Sequence, residues 1–294
     1  MAIPDKCKQL STVDAVSDLR EKVSSWKAIG KRVGLVPTMG ALHTGHLSLV
    51  EKASSVTDKV IVSIFVNPEQ FAPHEDFDTY PRGQDADLEK LAATACDLVY
   101  LPNISTIYPD GFETRVSLSE ITEGLCGQSR PHFFGGVATV VNILFNQCSP
   151  DVAVFGEKDY QQLLVVKRMA KDLSLPIEII GAPIVRDANG LALSSRNTHL
   201  TDNERVTANR LNRILSALSR EAERGTPVEA ILASGHEQLK NAGVDSIDYL
   251  EIRTEDKLTK LVNGPVQHDA RLFLAVHIGK VRLIDNWPII LRTH

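Results

Sequence analysis

The segment 37–46, PTMGALHTGH, contains the residue types best suited to phosphate chemistry in this chain. His43 and His46 lie three positions apart, a spacing that brings two side chains together on one helical turn. Gly40 and Gly45 let the backbone approach a phosphate closely, and N–H groups at the start of a helix favour an anion. Imidazole donors there can stabilise the charge that develops when a phosphoanhydride is attacked. The segment therefore predicts a phosphate-binding loop; the alternatives are a helix cap with two incidental histidines and a zinc site, although no further ligand cluster is visible.

A second candidate segment, FGEKDYQQ, spans residues 155–162 after an apolar run. Lys158 can reach phosphates as a point charge, and Asp159 can accept hydrogen bonds from ribose hydroxyls. A solvated charged turn, in which Asp159 caps the next helix, is the alternative.

A third segment, LSSRN at 193–197, places two hydroxyls and a guanidinium side by side after a turn that the Asn189-Gly190 step predicts. Hydroxyls and an arginine in this order can clamp a phosphate, especially in a loop that can close. A hydroxyl-rich helix cap is the alternative.

Two further segments contain polar side chains suited to a small substrate. FVNPEQF at 65–71 ends an apolar run at a proline, and Asn67 and Gln70 supply neutral donors and acceptors. A plain turn is the alternative. In SRPHFFGGV at 129–137, Arg130 is suited to bind a carboxylate or to cap a neighbouring helix.

The composition is that of a globular protein. The chain has 294 residues, of which 43% are hydrophobic and 23% charged, and this excludes a disordered or fibrous chain. The formal net charge of −5 argues against a nucleic-acid surface. No apolar run approaches the ~20 residues of a membrane span, and the first residues lack an apolar signal core. The four cysteines, at 7, 96, 126 and 148, are too widely spaced for a CxxC pair and predict reduced, packed thiols. We therefore expect a cytoplasmic protein with no nucleic-acid or membrane partner.

Strand-like and helical patterns alternate through the first two-thirds of the chain. Strands are predicted at 32–36, 60–66, 97–101, 151–155 and 177–180, and helices at 11–27, 45–56, 85–95, 137–148 and 160–173. Ser11 and Asp14 have the spacing of a capping box for the first helix. The alternation predicts an α/β fold in which a parallel sheet has helices on both faces. The loops with chemical side chains then lie at the carboxyl ends of the strands.

The pattern changes after about residue 184. Two long helical patterns, 203–224 and 228–242, are followed by strand-like runs at 246–253, 271–277 and 280–284. Helices followed by strands, without alternation, are typical of a smaller α+β domain. The sequence therefore predicts two domains, 1–184 and 185–294.

Four motifs closely resemble those of the pantoate–β-alanine ligase family, in order and separation: PTMGALHTGH, FVNPEQF, GEKDYQQ and GLALSSRN. RLIDN near the end of the sequence extends the resemblance over nearly the whole chain. The resemblance implies condensation of pantoate with β-alanine to pantothenate, with ATP cleaved to AMP and pyrophosphate, through a pantoyl-adenylate. It also implies a Rossmann-like catalytic domain that binds ATP and pantoate, a C-terminal lid domain, a homodimer, and Mg²⁺ as the ATP counterion with no assigned protein ligand.

The resemblance further implies which residues bind ATP. They are Met39, Gly40, Ala41, Leu42, His43, Thr44, Gly45, His46, Gly156, Glu157, Lys158, Asp159, Val185, Leu193, Ser194, Ser195 and Arg196. Within this set, Lys158 would contact phosphates, Asp159 the ribose and Val185 the adenine. The segment 193–196 would close on the phosphates as the counterpart of the KMSKS loop.

Substrate-binding and catalytic roles follow from the same resemblance. Gln70 and Gln162 would hold pantoate, and Gln70 would lie next to the β-alanine site. The HxGH histidines (the HIGH motif) and Lys158 would be catalytic, with His46 as the proton donor and His43 beside it.

The chain departs from the family at residues 130–137. The family often has R-P-x-H-F-x-G-V, and here Phe133 occupies the slot where histidine is common. A role of that slot cannot be transferred, and His132 is therefore not assigned to the site.

Three other function classes compete with the ligase. A nucleotidyltransferase would use the same HxGH loop but leave AMP joined to its product. A nucleotide-binding sensor would bind ATP without pantoate-dependent release of pyrophosphate. A class I aminoacyl-tRNA synthetase is disfavoured because the chain is short and acidic.

Overall fold

The structure is a computed structural model that describes residues 10–71, 77, 80 and 83–291. The chain divides into two compact units that alternate along the sequence. The first comprises Met1–Thr122, Arg130–Glu157 and Gln162–Pro183, and the second comprises Glu123–Ser129, Lys158–Gln161 and Ile184–His294. The division into domains 1–184 and 185–294 stays a prediction.

A parallel sheet forms the centre of the first unit. Its six strands, among the described residues, are β1 (Ser11–Val13), β2 (Val33–Thr38), β3 (Lys59–Ile64), β4 (Leu98–Tyr100), β5 (Val152–Gly156) and β6 (Glu178–Ala182). Their spatial order is β1-β4-β3-β2-β5-β6. The central strands β2, β3 and β5 consist mostly of buried apolar residues, as expected when helices cover both faces of a parallel sheet.

The strands are connected largely through helices. These are α1 (Val16–Ala28), α2 (Thr44–Ser54), α3 (Gln84–Ala92), α4 (Ile104–Ile107), α5 (Cys126–Ser129), α6 (Phe133–Cys148) and α7 (Tyr160–Asp172). Val36, Val62 and Val154 pack with Leu49 and Val50 of α2 in one buried cluster. Because successive strand residues point to opposite faces, their neighbours in the strands are available to the helices on the other face.

The predicted first helix is wrong in its opening residues. Ser11–Val13 is the edge strand β1, and Ser11 lies opposite Leu98 of β4. The helix begins at Val16 after Ala15, which forms no side-chain cap, so the predicted capping box of Ser11 and Asp14 is absent. β4 would otherwise present an unpaired edge, and its ladder of backbone hydrogen bonds stabilises the extended form of these residues.

The strand order reverses between β2 and β5. The chain runs from β2 outward to β3 and β4, and later returns to β5 on the other side of β2. β2 pairs with β3 from Val33 to Thr38 but with β5 at Gly34 and Leu35 alone. Pro37 has no N–H to extend that pairing. The ladder between the two strands therefore ends before their carboxyl ends, which is where α/β sheets bind ligands.

The second unit contains an antiparallel sheet and two long helices. Its described elements are α8 (Asp202–Glu223), α9 (Val228–Ala242), β7 (Ser246–Thr254), β8 (Lys260–Leu261), β9 (Ala270–Ile278) and β10 (Val281–Ile289), with sheet order β10-β9-β7-β8. Leu215 and Leu218 of α8 are buried with Leu239 of α9 and Leu272 of β9. The predicted fold class, a Rossmann-like parallel sheet with a smaller α+β unit, is confirmed.

Candidate active site

The loop after β2 has an unusual backbone. Gly40 has φ +81° and Ala41 has φ 50°, both in the left-handed region. Thr38 Oγ1 donates to the Ser63 carbonyl at 2.8 Å and accepts from the Gly40 N–H at 3.2 Å. A Cβ at Gly40 would lie 3.1 Å from Asp87 Oδ2. The position thus requires glycine for both its φ and its close contact with α3.

Two residues of α3, Asp87 and Lys90, form hydrogen bonds with the backbone of this loop. The sequence analysis did not identify them. Asp87 is 2% exposed, and its Oδ1 accepts from the Leu42 N–H at 2.8 Å. Lys90 Nζ donates to the Leu42 carbonyl at 2.7 Å and lies 3.7 Å from Asp87 Oδ1. Both polar groups of the Leu42 backbone are therefore satisfied within the unit. In the sequence, Asp87 is one carboxylate among several in a polar helix, so no pattern distinguishes it.

The two histidines of the motif form the start of α2. His43 Nδ1 accepts from the Gly45 N–H at 3.1 Å, and the His43 N–H donates to His46 Nδ1 at 3.3 Å. The two rings lie 4.1 Å apart between centroids. Because each Nδ1 accepts a hydrogen bond, the neutral form of each ring carries its proton on Nε2. The helix-cap alternative is thus correct as local structure, and it leaves both rings with an Nε2–H donor at the positive end of a helix.

The turn after β3 is organised by Asn67. This side chain is 1% exposed, and its Nδ2 donates to Gln70 Oε1 at 3.0 Å and to the Gly136 carbonyl at 3.2 Å. Its Oδ1 accepts from the Tyr108 hydroxyl at 2.7 Å. Burial raises the pKa of Tyr108 well above its usual value, so the hydroxyl remains a donor. With Oε1 engaged by Asn67, the Nε2 amide is the part of Gln70 that can donate to a ligand.

Helix α6 lies directly against this turn. A Cβ at Gly136 would overlap the Glu69 carbonyl, so α6 can approach only because residue 136 is glycine. Arg130 Nη2 donates to the Gln70 carbonyl at 2.8 Å. This contact with the backbone of the Gln70 turn adds to the two roles predicted for Arg130, and the predicted carboxylate partner stays a prediction.

The GEKDYQQ segment continues from β5 into α7. Glu157–Asp159 is a 3₁₀ turn. Lys158 Nζ lies 3.8 Å from Asp159 Oδ1, and the Lys158 carbonyl accepts from Asn286 Nδ2 at 3.0 Å. Gln161 is buried and bonded through Oε1 to the Cys126 N–H, whereas Gln162 is half-buried on α7. The first glutamine of the pair is thus a packing residue of the second unit, and the second glutamine belongs to the first unit.

The LSSRN segment follows a short hairpin in the second unit. The Leu193 N–H donates to the Val185 carbonyl at 3.0 Å, and Gly190 has φ +93° at the predicted turn. Ser194 Oγ accepts from the Arg196 N–H at 3.3 Å and so caps the 3₁₀ turn Ser195–His199. The cap alternative again describes the local structure of Ser194, and a phosphate contact by the forked Arg196 guanidinium stays a prediction.

Two residues of RLIDN, whose role the sequence analysis did not assign, stabilise these segments. Asp285 forms a bidentate ion pair with Arg186 at 2.6 and 2.9 Å, beside the hairpin. Asn286 accepts from Arg271 Nη1 at 2.7 Å and donates to the Lys158 carbonyl. Asp285 and Asn286 are 5% and 2% exposed. Adjacent residues of β10 thus fix two of the motifs from within the same unit.

The donors assembled here suit an anion better than a cation. In the part of the chain that the structure describes, no three His, Cys, Asp or Glu side chains are grouped to hold a metal. Cys96, Cys126 and Cys148 are buried, as predicted for packed thiols, while Cys7 lies outside the described residues. Among the described helices, none has the length and apolarity needed to cross a membrane.

Each unit therefore contains part of the predicted set. The first unit brings the loop 39–46, Gln70, Gly156, Glu157 and Gln162 to its sheet, after the adjacent strands β2, β3 and β5. The second unit contains Lys158, Asp159, Val185 and the segment 193–196.

Comparison with known proteins agrees with the motifs. The sequence profile of pantoate-beta-alanine ligase matches residues 11–288. A pantothenate synthetase of Caulobacter vibrioides is 53% identical over 278 residues, which are 94% of this chain and 98% of that protein. A crystal structure of pantothenate synthetase from Thermus thermophilus has a TM-score of 0.90 and 42% identity, covering 96% of this chain and 100% of that one.

A second solved structure contains ligands. It is a pantoate-beta-alanine ligase from Francisella tularensis in complex with beta-gamma ATP and β-alanine. Its TM-score is 0.79 at 36% identity, covering 95% of this chain and 97% of that one. Motifs, fold and near-complete coverage agree, and the chain belongs to the pantoate-beta-alanine ligase family.

Proposed function

We propose that this enzyme condenses pantoate with β-alanine through a pantoyl-adenylate, with ATP cleaved to AMP and pyrophosphate. Ligation of pantoate to β-alanine is the activity of the family to which the chain belongs. The adenylate route is supported above all by the start of α2, where two imidazoles with Nε2 protons meet the positive end of a helix. That arrangement favours a phosphate, because backbone N–H groups, ring donors and the helix dipole all attract negative charge.

In the first proposed step, a carboxylate oxygen of pantoate attacks the α-phosphorus of ATP. The acyl C–O–P linkage forms as the bond from the α-phosphorus to the bridging oxygen breaks, and pyrophosphate leaves with the electron pair. Negative charge develops on the phosphate oxygens during this step. His43, His46 and Lys158 are the proposed donors to these oxygens, with His46 as the proton donor.

In the second proposed step, the amine of β-alanine attacks the acyl carbon. The amide C–N bond forms, the acyl C–O bond to AMP breaks, and AMP leaves with the electron pair. The nitrogen loses one proton to solvent. The same adenylate thus serves as product of the first step and substrate of the second.

Gln70 and Gln162 are the proposed pantoate ligands. Neutral amides can orient hydroxyl and carboxylate oxygens without neutralising the carboxylate that must act as the nucleophile. Asn67 engages Gln70 Oε1 at 3.0 Å, so Gln70 Nε2 is the group proposed to bind pantoate. Gln70 is also proposed to lie beside β-alanine.

The remaining ATP contacts are proposed from the motifs. Asp159 is assigned to the ribose, Val185 to the adenine, and Ser195 and Arg196 to the phosphates. Mg²⁺ would accompany ATP as its counterion, bound through phosphate oxygens. The donors at 40–46 are N–H groups that suit phosphate oxygens, and among the described residues no metal-binding cluster occurs. We therefore assign the ion no protein ligand.

Three further properties are proposed from the resemblance. Residues 1–184 would form the ATP- and pantoate-binding catalytic domain and 185–294 the lid domain. The enzyme would be a homodimer and would act in the cytoplasm. Light scattering on the purified protein tests the dimer, and limited proteolysis tests the domain division.

The two-step route is tested by isotope exchange between ATP and pyrophosphate. With Mg²⁺ and pantoate present, exchange is expected without β-alanine, and free AMP is expected once β-alanine is added. A strict requirement for β-alanine in the exchange would contradict the adenylate. AMP that stays joined to the product would indicate a nucleotidyltransferase, and ATP binding without any pyrophosphate release would indicate a sensor.

A further inference from the structure

Arg130 and Phe133 form a stacked pair beside the turn that contains Gln70. The Arg130 Cζ lies 4.0 Å from the centre of the Phe133 ring, and Arg130 Nη2 donates to the Gln70 carbonyl at 2.8 Å. We propose that Phe133 is a positioning residue whose ring holds the Arg130 guanidinium against the Gln70 carbonyl, and thereby fixes the Gln70 amide for pantoate. This inference rests on the proposed function, in which Gln70 binds pantoate.

The Phe133 ring is held in place by a neighbouring aromatic ring. Phe133 is the first residue of α6, and its ring meets that of Phe134 edge-on at 5.1 Å between centroids. Phe134 is buried, so the pair of rings is anchored to the core. A guanidinium is attracted to an aromatic face because the face carries partial negative charge. Stacking restricts the long Arg130 side chain in advance, so less freedom is lost when Nη2 bonds the carbonyl.

Gln70 is consequently held at two points. Asn67 Nδ2 fixes its side chain through Oε1 at 3.0 Å, and Arg130 fixes its main chain through the carbonyl at 2.8 Å. Asn67 also donates to the Gly136 carbonyl, and Arg130 stacks on Phe133. Both residues that hold Gln70 therefore contact the first turn of α6. A guanidinium that moves away would free the carbonyl, and of these two supports Gln70 would keep only the Asn67 contact to its side chain.

The identity of residue 133 gives the inference a pH signature. Phenylalanine stands where histidine is common in the family, and a phenyl face attracts a cation at every pH. A histidine ring would gain a positive charge below its ordinary pKa of about 6.5 and repel the guanidinium. Among the residues that the structure describes, the ionisable groups next to the pair in the chain or on the Gln70 turn are His132, which precedes α6, and the Glu69–Arg115 ion pair.

The first test compares Phe133→Leu with a matched control. Initial rates of pyrophosphate release are measured against pantoate at saturating ATP. Phe133→Leu is expected to raise the pantoate KM about fivefold, the effect of one cation–π contact, and to leave the ATP KM within about twofold. Trp26→Leu is the control, because Trp26 stacks with Lys59 at 5.7 Å elsewhere in the same unit. It is expected to leave the pantoate KM unchanged.

The second test uses two substitutions that keep a planar ring at residue 133. Phe133→Tyr keeps the aromatic face and is expected to retain the wild-type pantoate KM. Phe133→His is expected to approach the wild-type KM at pH 8 and to lose pantoate affinity relative to wild type as the pH falls through about 6.5. His132 and the Glu69–Arg115 pair are present in every variant, so the pantoate KM is compared as its ratio to wild type at each pH. A purely structural role would not produce a pH-dependent KM ratio.

The outcomes distinguish this inference from the proposed function. If wild-type protein releases no pyrophosphate with pantoate, the proposed function fails. If the wild type is active and Phe133→Leu keeps its pantoate KM, the positioning role is overturned. The positioning role is also overturned if the pantoate KM of Phe133→His, divided by that of wild type, does not change with pH. This measurement remains informative if Phe133→Leu does not fold. Additive effects of Arg130→Met and Phe133→Leu in a double mutant would also contradict the coupling.

Discussion

Asn286 donates a hydrogen bond from Nδ2 to the backbone carbonyl of Lys158 at 3.0 Å. Its Oδ1 accepts from Arg271 Nη1 at 2.7 Å, so both halves of the amide are used. The Arg271 Cζ also lies 3.9 Å from the centre of the ring of Tyr160, which is two residues after Lys158. The place of the Lys158 backbone is therefore set by β10 and β9 of the second unit.

Asn286→Asp tests whether Asn286 positions the backbone of Lys158. The variant keeps an acceptor for Arg271 but removes the donor to the Lys158 carbonyl. We expect the rate of ATP–pyrophosphate exchange to fall about tenfold, the equivalent of one hydrogen bond of roughly 1.4 kcal/mol. Asn146→Asp is the control, because Asn146 Nδ2 also donates to a carbonyl, that of Asn142, on the exposed side of α6. Equal exchange rates in wild type and Asn286→Asp would contradict the positioning of Lys158.

Loss of Asp285 should destabilise the protein. The Arg186–Asp285 pair is bidentate, with side chains 17% and 4% exposed. Asp285→Ala would leave a largely buried guanidinium unpaired, which costs about 3 kcal/mol of unfolding free energy. Denaturant unfolding measures the change. Asp172→Ala is the control, since the Arg168–Asp172 pair is 58% and 47% exposed and its loss should cost under ~1 kcal/mol. Similar losses of unfolding free energy in both variants would show that burial does not make the Arg186–Asp285 pair more stabilising than an exposed pair.

His43 can be tested for two roles at once. His43→Asn retains a side-chain acceptor at the start of α2 but removes the Nε2 donor. We expect the melting temperature to stay close to that of wild type, while adenylate formation falls by about 10²–10³. His43→Ala should lose the same rate and in addition about 1 kcal/mol of stability. An asparagine variant with full exchange activity would mean that His43 acts as a helix cap alone.

The adjacent glutamines of α7 should give opposite phenotypes. Gln162→Ala, like Gln70→Ala, should raise the pantoate KM and leave ATP binding near normal. Gln161→Ala would leave the buried Cys126 N–H without its acceptor, at a cost of about 1–3 kcal/mol in unfolding free energy. Substrate kinetics and denaturant unfolding on both variants check the assignment. A Gln70 or Gln162 variant that lost ATP binding and kept its pantoate KM would reverse the proposed roles.

Arg196→Lys should show whether the forked guanidinium matters. A lysine keeps the charge but cannot hold two phosphate oxygens in one plane. We expect normal folding by circular dichroism and a clear loss of adenylation rate. Full activity in the lysine variant would refute a phosphate clamp at this residue.

The parallel sheet and the motif loops could be predicted because their signals are local. Buried apolar runs such as 60–66 and 151–155 alternate with helical patterns, and HTGH directly follows a strand. The structure adds that the histidines cap α2 through their Nδ1 atoms, a detail that residue types alone do not specify.

The supporting residues were missed because their signals depend on distant parts of the chain. Asp87 looks like any carboxylate in an exposed helix, and its burial against the Leu42 backbone follows from tertiary packing. Asn286 contacts a residue 128 positions away in sequence. Ser11–Val13 was assigned to a helix for the same reason, since the pairing with β4 that makes it a strand lies more than eighty residues further on.

The pairing of β2 with β5, two residue pairs long, is the shortest strand pairing in the described parallel sheet. β2 is paired with β3 along its whole length, and β5 with β6, which gives two longer-paired blocks on either side of this short ladder. Local opening between the blocks requires less free energy than global unfolding. A nucleotide that binds only while β2 and β5 are paired stabilises that pairing by mass action. Pairing of β2 with β5 and nucleotide binding at their carboxyl ends are thus thermodynamically linked. Amide hydrogen exchange in both strands, with and without nucleotide, measures that linkage.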